Sequence, residues 1–307
     1  MKDIKMTIEQ LKNKKIGVLY GGLSSEREIS IKSGKAVLNA LKKLKFNAVG
    51  IDAGKNVSQK IKKEKIDFAY IVLHGQFGED GTIQGMLEVM GIPYTGCGVF
   101  ASSASMDKDV SKRLFKCAGV LTPGWFALKK FEAVPEIKKY PVVVKPSRQG
   151  SAIGVSIVES KADFAKAAKE AFKYGDEIIV EEFVKGTEIT AGILDGQALP
   201  VVEIIPKGKF YDFKSKYQKG GSRHLIPARI SKKAYARAQA DAKKIFDTFK
   251  CRAVCRVDMI VDSQDKVWTL ENNTVPGMTE TSLLPDEAKA CGISFEELVL
   301  KIMECSL

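Results

Sequence analysis

Short apolar runs alternate with helix-like stretches through the first 95 residues, and this alternation limits the folds open to the chain. The strand-like runs lie at 16–20, 46–51 and 68–73. The helix-like stretches lie at 30–43, 61–65 and 82–90. Strands and helices that alternate at this spacing build a parallel sheet with right-handed crossovers. We therefore predict an open α/β domain over residues 1–96.

The pattern changes after residue 96, where strand-like runs follow one another with few helices between them. These runs lie at 125–128, 142–145, 155–157, 178–183, 188–194, 200–205, 253–262 and 267–271. Helices are predicted at 108–118, 162–173, 232–249 and 295–304. Such runs are typical of antiparallel α+β modules. We predict a central domain over 97–181 and a C-terminal domain over 182–307, with a lid loop at 206–227.

Composition excludes several classes of protein. The chain has 49 Lys and Arg against 37 Asp and Glu, a net charge of +12 that suggests a nucleic-acid partner. No recognised nucleic-acid module accompanies that charge. No apolar stretch approaches the roughly 20 residues that span a bilayer, and the N-terminus lacks the apolar segment of a signal peptide. The six scattered cysteines do not resemble a disulfide framework. We expect a cytoplasmic protein with reduced thiols, no nucleic-acid partner and no membrane association.

A glycine turn, GGLSSERE at 21–28, lies between the first strand and the first long helix. That position suits an anion at a helix N-terminus. The turn is not G-x-G-x-x-G, and no P-loop occurs, so a dinucleotide oxidoreductase is disfavoured. Glu26 could instead hold a cationic group such as a substrate ammonium, or only interact with the helix dipole. His74 follows the third strand at the sheet edge where open α/β sheets bind ligands, although a lone histidine is more often structural.

Two loops between later strands suggest a nucleotide site. Lys145 ends an apolar run and opens the loop KPSRQGSAIG, in which backbone N–H groups, a hydroxyl and a cation could cradle phosphate. A lysine in that position is partly buried and requires an anionic partner. Glu181 and Glu188 flank the end of another strand, where a carboxylate can accept from ribose or adenine, or simply face water.

The acidic residues of the last two strands predict a cation site. Arg256 and Asp258 share one face of a strand, and Glu271 and Asn273 share a face of the next. Their oxygen atoms suit Mg²⁺, which binds a few carboxylates together with substrate phosphates. A salt bridge from Arg256 would explain one carboxylate but not the set. The turn at 276–279 offers N–H groups for a substrate carboxyl or an oxyanion.

Together these motifs resemble the D-alanine–D-alanine ligase family of the ATP-grasp superfamily over nearly the whole chain. The matching motifs, in the order of the family, are GGLSSEREIS at 21–30, HGQFGEDGTIQGMLEVMGIPYTG at 74–96, SMDK at 105–108, KPSRQGSAIG at 145–154, KY at 216–217, CRVD at 255–258 and ENNTVPGMTETSL at 271–283. The resemblance implies an ATP-grasp fold whose two α+β domains clamp ATP. It also implies ligation of two D-alanine molecules through a D-alanyl phosphate for peptidoglycan synthesis, often by a homodimer.

The resemblance further implies a role for each matching residue. ATP phosphates are contacted by Lys108, Lys145 and Lys216, and adenosine by Glu181, Glu182, Phe183, Val184, Glu188 and Phe210. Two Mg²⁺ (or Mn²⁺) ions are held by Asp258, Glu271 and Asn273. The first D-alanine is bound by Glu26, Ser151 and Tyr217 with His74 nearby, and the second by Ser282 and Leu283. The oxyanion is stabilised by Arg256 and Gly277. The same-fold alternatives use D-lactate or D-serine as second substrate, and Tyr217 resembles the dipeptide-forming members.

Overall fold

The computed structural model describes residues 7–207, 221–279 and 281–307, and three sheets organise this part of the chain. The N-terminal sheet has three parallel strands in the order β2-β1-β3, namely β1 (Lys15–Tyr20), β2 (Asn47–Asp52) and β3 (Phe68–Ile71). Its helices are α1 (Ile8–Lys12), α2 (Arg27–Lys43), α3 (Val57–Glu64) and α4 (Thr82–Val89). The predicted parallel α/β arrangement is confirmed.

Helix α2 begins three residues before its predicted start. The carbonyl of Glu26 accepts the N–H groups of Ile29 and Ser30, which closes the first turn. The Glu26 side chain does not cap the helix. Its carboxylate is therefore available to groups outside α2, as the site described below requires.

The central sheet is antiparallel, with the order β4-β7-β5-β6. Its strands are β4 (Trp125–Lys129), β5 (Val142–Pro146), β6 (Ser156–Val158) and β7 (Glu177–Glu182). The helices of this region are α5 (Val99–Met106), α6 (Lys108–Cys117) and α7 (Lys161–Ala171), with a 3₁₀ turn at Phe172–Tyr174. Sequence reasoning missed α5, because its serines are poor helix formers and its residues show no apolar stripe.

The third sheet is antiparallel, with the order β11-β10-β8-β12-β13 and a short strand β9 paired with β8. Its strands are β8 (Gly186–Leu194), β9 (Gln197–Ala198), β10 (Val202–Pro206), β11 (Ser222–Leu225), β12 (Val254–Asp262) and β13 (Val267–Asn273). Its helices are α8 (Lys232–Thr248), α9 (Leu283–Ala290) and α10 (Phe295–Glu304). The antiparallel arrangement predicted after residue 96 is confirmed, whereas α9 had not been predicted.

The segment 206–227 is not irregular throughout, as its polar composition suggested. Its second end forms β11, which pairs with β10, and the N–H of Lys207 donates to the carbonyl of Gly221 at 3.0 Å. The two ends therefore form the base of a hairpin. Residues 208–220 lie outside the described residues, and so do the predicted site residues Phe210, Lys216 and Tyr217.

The apolar cores do not follow the three sheets one to one. One core joins the N-terminal sheet to α9 and α10, with Val18 and Leu41 packed in the same cluster as Leu284, Leu298 and Val299. The central sheet has a separate core, whose members all lie between residues 126 and 180. The N-terminal sheet and the C-terminal helices thus share their buried surface, and the central sheet does not.

The cysteines and the helix lengths bear on two expectations drawn from composition. All six cysteines are free thiols, as predicted. Across the described ranges, none of the helices combines the length and the apolar character needed to cross a membrane.

Candidate active site

A cleft lies between the central sheet and the third sheet. Its central-sheet wall includes Val143, Lys145 and Ile157, and the segment 181–184 lies at one end. The opposite wall includes Asp258 and Glu271, together with Met259, Ile260 and Leu270. A cleft with a mostly apolar lining and a few charged groups is typical of a ligand-binding site. The predicted residues Lys108, Glu182, Phe183, Val184 and Glu188 also line it.

Lys145 has the anionic partner that its position at the end of an apolar run predicted. Its Nζ lies 2.5 Å from Oε1 of Glu181, and both side chains are buried. Burial alone would raise the pKa of the Glu181 carboxyl, but Lys145 and Lys112 lower it to about 2. The Glu181 side chain is therefore ionised and paired with lysines, and it also lines the cleft.

The loop after β5 brings the central sheet to the N-terminal sheet. Ser151 donates a short hydrogen bond to the Glu26 carboxylate. A Cβ atom at Gly150 would lie 2.8 Å from Oε2 of Glu26, so only glycine allows this approach. Lys108 donates to the backbone carbonyl of Gln149 in the same loop at 2.6 Å. The structure thus joins three motifs that lie more than 40 residues apart in the sequence.

The predicted cation-binding residues lie on one face of β12 and β13. Asp258 and Glu271 are register partners, and so are Arg256 and Asn273. Arg256 pairs with both oxygens of Asp258, through Nε and Nη2, at 2.9 Å each. Asp258 also accepts from the Thr190 hydroxyl at 2.7 Å and from the Asn273 amide at 3.1 Å. The salt bridge considered as the alternative is therefore present, and Asp258 and Glu271 still line the same cleft.

This face fits a hard divalent cation. Two carboxylates and one amide oxygen on paired strands offer the oxygen donors that Mg²⁺ prefers, while phosphate and water complete its shell. Glu271 also lies 3.8 Å from the Lys108 ammonium, so a cationic group is already near it. Among the described residues, no group of three or more His, Cys, Asp and Glu side chains is arranged to hold a metal. A site here therefore depends on ligands that the nucleotide supplies.

A second, more polar pocket adjoins the cleft. The predicted residues that line it are Glu26, His74, Ser151, Arg256, Asn273, Gly277, Ser282 and Leu283. Asn273 and Arg256 connect it to the cation-binding face. The pocket therefore unites residues of all three sheets and of the segment between β13 and α9.

His74 is neutral in this pocket. Its Nδ1 atom lies 3.1 Å from the carbonyl oxygen of Val275, which only accepts, so Nδ1 carries the proton. Its Nε2 atom then accepts from the Ser33 hydroxyl at 3.5 Å. Burial lowers the pKa of His74, against the opposing effect of Glu26. His74 thus holds the loop before α9 through the carbonyl of Val275.

Glu79 also lines the pocket, and the sequence analysis gives it no role. Its carboxyl accepts from the N–H of Gly75 at 2.9 Å. Burial, together with the nearby Glu26 carboxylate, raises the pKa of Glu79 to about 8. Its neighbour Asp80 instead accepts from the N–H groups of Phe77 and Thr82 at the start of α4. The position of Asp80 just before a predicted helix could have identified it as a structural residue and left Glu79 as an acidic residue of the pocket.

Gly277 and Ser282 belong to the turn that leads into α9. A Cβ at Gly277 would lie 2.8 Å from Oγ of Ser282, and that oxygen accepts from the Thr279 N–H at 3.0 Å. Ser282 immediately precedes α9. Leu283 is buried against Val202 in a small apolar cluster while it also lines the pocket. The pocket therefore lies beside the N-terminal end of α9.

Two buried residues behind the site were also missed. Glu287 on α9 is fully buried, and its Oε1 accepts from the N–H of Gly192 at 2.7 Å. Gly192 is the register partner of Arg256, so Glu287 lies next to the strand pair that holds the guanidinium. Burial raises the pKa of Glu287 to about 8. Lys112 on α6 is the second, and its contact with Glu181 is a tertiary pairing that no local motif reveals.

Comparisons with known proteins agree with this geometry. A protein-family model described as D-ala D-ala ligase N-terminus matches residues 15–59 and 51–97. A second model, described as D-ala D-ala ligase C-terminus, matches residues 115–304. The D-alanine–D-alanine ligase of Citrifermentans bemidjiense is 48% identical over 301 residues, covering 98% of this chain and 99% of the relative. That of Syntrophotalea carbinolica is 46% identical over 299 residues, covering 97% and 98%.

Solved structures resemble the fold over nearly its whole length. The D-alanine–D-alanine ligase from Bacillus anthracis complexed with ATP superposes with a TM-score of 0.84 at 35% identity, covering 95% of this chain and 97% of that chain. The VanG D-Ala:D-Ser ligase from Enterococcus faecalis superposes with a TM-score of 0.81 at 30% identity, covering 96% and 99%. These similarities extend across all three sheets.

Proposed function

The chain belongs to the D-alanine–D-alanine ligase family, with an ATP-grasp fold, and we propose on that premise that it joins two D-alanine molecules into D-alanyl-D-alanine. ATP is cleaved to ADP and phosphate in the reaction. The observation that supports this most directly is the polar pocket beside the cleft, with the Arg256–Asp258 ion pair between them: Arg256 lines the pocket and Asp258 lines the cleft. The product serves the synthesis of peptidoglycan precursors in the cytoplasm.

A carboxylate is a poor electrophile, and ATP first converts it to an acyl phosphate. One carboxylate oxygen of the first D-alanine attacks the terminal phosphorus, and ADP departs. Such a transfer needs positioning and charge neutralisation more than covalent help from the protein. Lys108 and Lys145 supply positive charge at the cleft. Asp258, Glu271 and Asn273 would hold two Mg²⁺ (or Mn²⁺) ions, whose charge offsets that of the phosphates when they are bound.

The polar pocket accounts for the two amino-acid sites. Glu26, held by Ser151, would bind the ammonium of the first D-alanine. The second D-alanine attacks the acyl carbon through its neutral amine, a C–N bond forms, phosphate leaves and the amine loses a proton. Arg256 and the N–H of Gly277 would stabilise the tetrahedral oxyanion. Ser282 and Leu283 would position the second D-alanine.

Three further parts of the proposal rest on the family resemblance. The lid segment 206–227, with Phe210, Lys216 and Tyr217, would close over ATP and keep water from the acyl phosphate. Glu182, Phe183, Val184 and Glu188, which line the cleft, would bind adenosine, and Glu181 would contribute mainly through its lysines. The division into domains at 1–96, 97–181 and 182–307 and a homodimeric assembly remain predictions.

Phosphate release in the presence of ATP and Mg²⁺ tests the proposed function. We expect release with D-alanine and none above background with L-alanine. Product analysis with equimolar D-alanine and D-serine, and separately with D-lactate, then identifies the second substrate. A mixed dipeptide with D-serine as the main product would favour the activity named for the Enterococcus relative. A depsipeptide as the main product at neutral pH would contradict the proposal.

A further inference from the structure

Lys112 is a fully buried lysine that the proposed chemistry does not use. It lies one helical turn after Lys108 on α6. Its Nζ lies 2.8 Å from Oε2 of Glu181, 2.8 Å from the Thr122 hydroxyl and 3.4 Å from the carbonyl of Pro123. The ammonium group thus has one ion-pair partner and two hydrogen-bond acceptors. The site is therefore built for the charged form of the side chain.

Glu181 receives one lysine on each carboxylate oxygen. Lys145 contacts Oε1 and Lys112 contacts Oε2, and all three side chains are less than one-tenth exposed. Two ammonium groups and one carboxylate give this cluster a net charge of +1. If Lys112 were absent, Lys145 and Glu181 would form a neutral pair, and the attraction of Lys145 for an anion would be largely cancelled. Lys112 thus sets the charge that the cluster presents to the cleft.

We propose that Lys112 is a positioning residue that acts on the nucleotide phosphates through Glu181. By neutralising the Glu181 carboxylate, it leaves the positive charge of Lys145 for the phosphates. Lys145 lines the cleft and Lys112 does not, so Lys112 has no direct contact with a nucleotide there. The inference rests on the proposed function only in that the anion is ATP.

A purely structural role for Lys112 makes a different prediction. The Thr122 hydroxyl that binds Lys112 donates to the carbonyl of Thr269, and the ammonium lies 5.4 Å from the ring centre of Trp125. If Lys112 only stabilised the packing around Thr122 and Trp125, its loss would distort the cleft and weaken binding of ATP and of adenosine alike. If it sets the charge of the cluster, its loss would weaken binding of phosphates and leave binding of adenosine unchanged.

The test measures binding of ATP, with Mg²⁺, and of adenosine to the full chain by calorimetry. We expect Lys112→Met to weaken ATP binding by about tenfold or more and to change adenosine binding by less than about twofold. In the double variant Lys112→Met with Glu181→Gln, the net charge returns to +1, and most of the lost ATP affinity should return. Lys116→Met is the matched control, because Lys116 is an exposed lysine one turn further along α6.

The results distinguish a charge-setting role of Lys112 from a purely structural one. Equal losses for ATP and adenosine in Lys112→Met, or no recovery in the double variant, would overturn the inference. If Lys112→Met does not fold, Glu181→Gln alone is informative, because it should bind ATP at least as tightly as the unaltered chain. A selective loss of ATP affinity in Glu181→Gln would then refute the inference. Failure of the unaltered chain to bind ATP would instead contradict the proposed function.

Discussion

The Nδ1 atom of His224 on β11 lies 2.7 Å from Oδ2 of Asp286 in the first turn of α9. This contact joins the base of the hairpin to the helix that follows Ser282 and Leu283. It therefore couples the predicted lid to the proposed site of the second D-alanine. The pair is 62 residues apart in sequence, and neither member belongs to a recognised motif.

We expect Asp286→Ala to reduce kcat/KM for D-alanine by about three- to tenfold, because the hairpin base loses its anchor on α9. Steady-state kinetics with D-alanine as the varied substrate would measure this. Glu296→Ala is the control, since Glu296 is also in the first turn of a helix and pairs with exposed Lys43. An equal loss in the control variant would show that any first-turn acid has this effect.

We expect Glu271→Gln to lower activity by about 100-fold or more, because an amide is a weaker ligand for a divalent cation than a carboxylate. The apparent affinity for Mg²⁺ from activity titrations should fall as well. Asp265→Asn, in the exposed turn between β12 and β13, should leave both quantities unchanged. Removing divalent cations with EDTA should abolish activity, and added Mg²⁺ should restore it. Near-normal turnover of Glu271→Gln would exclude this residue from the metal site.

We expect Arg256→Ala to lower kcat by about 100-fold while it weakens ATP binding much less, because the guanidinium would act on the oxyanion. The bidentate contact with Asp258 complicates this variant, since its loss leaves that carboxylate to Thr190 and Asn273. The Mg²⁺ dependence of the variant separates the two effects. A lower kcat with unchanged Mg²⁺ affinity supports the oxyanion role, and an unchanged kcat contradicts it.

We expect Glu287→Gln to change how stability depends on pH. Burial raises the pKa of Glu287 from 4.5 to about 8, so the folded protein binds a proton there that the unfolded chain releases. The unaltered chain therefore loses stability as pH rises from 4.5 to about 8, and the variant lacks this contribution. Its Tm should exceed that of the unaltered chain at about pH 8.5 by about 3 °C or more.

The Tm difference between Glu287→Gln and the unaltered chain is measured against a low-pH reference and a control variant. Well below pH 4.5, where Glu287 is protonated in both the folded and the unfolded state, the Tm difference between the two proteins should be smallest. Glu304→Gln, on the exposed side of α10, should leave the pH dependence unaltered. A parallel shift of Tm at all pH values would contradict the assignment of a protonated Glu287.

Local periodicity predicted much of the fold and the cation-binding face. The alternation of apolar runs with helices was sufficient for the parallel sheet, and the two-residue period of strands placed Arg256 with Asp258 and Glu271 with Asn273. These inferences succeeded because they depend on neighbours in sequence. The prediction that Lys145 needs a buried anion was also correct, since an apolar run ending in lysine already implies burial.

Contacts between distant elements could not be predicted in this way. The helix at 108–118 was predicted, but not its packing against the end of β7, which brings Lys112 to Glu181. The assignment of Glu181 to adenosine stays a prediction. Helix α5 escaped notice because it is stabilised by packing rather than by intrinsic propensity. The hairpin base at 206–227 was hidden by its polar composition, which resembles that of a loop.

The separate core of the central sheet has a mechanical consequence. One wall of the cleft belongs to a body in which the N-terminal sheet and the C-terminal helices share buried apolar surface. The other wall has its own core, so a rotation of that wall would break neither apolar core. Ser151 lies on the side of the central sheet and Glu26 on the side of the N-terminal sheet, so such a rotation would separate the two side chains that the Ser151–Glu26 hydrogen bond joins. Opening of the cleft and release of the proposed ammonium site would then occur together.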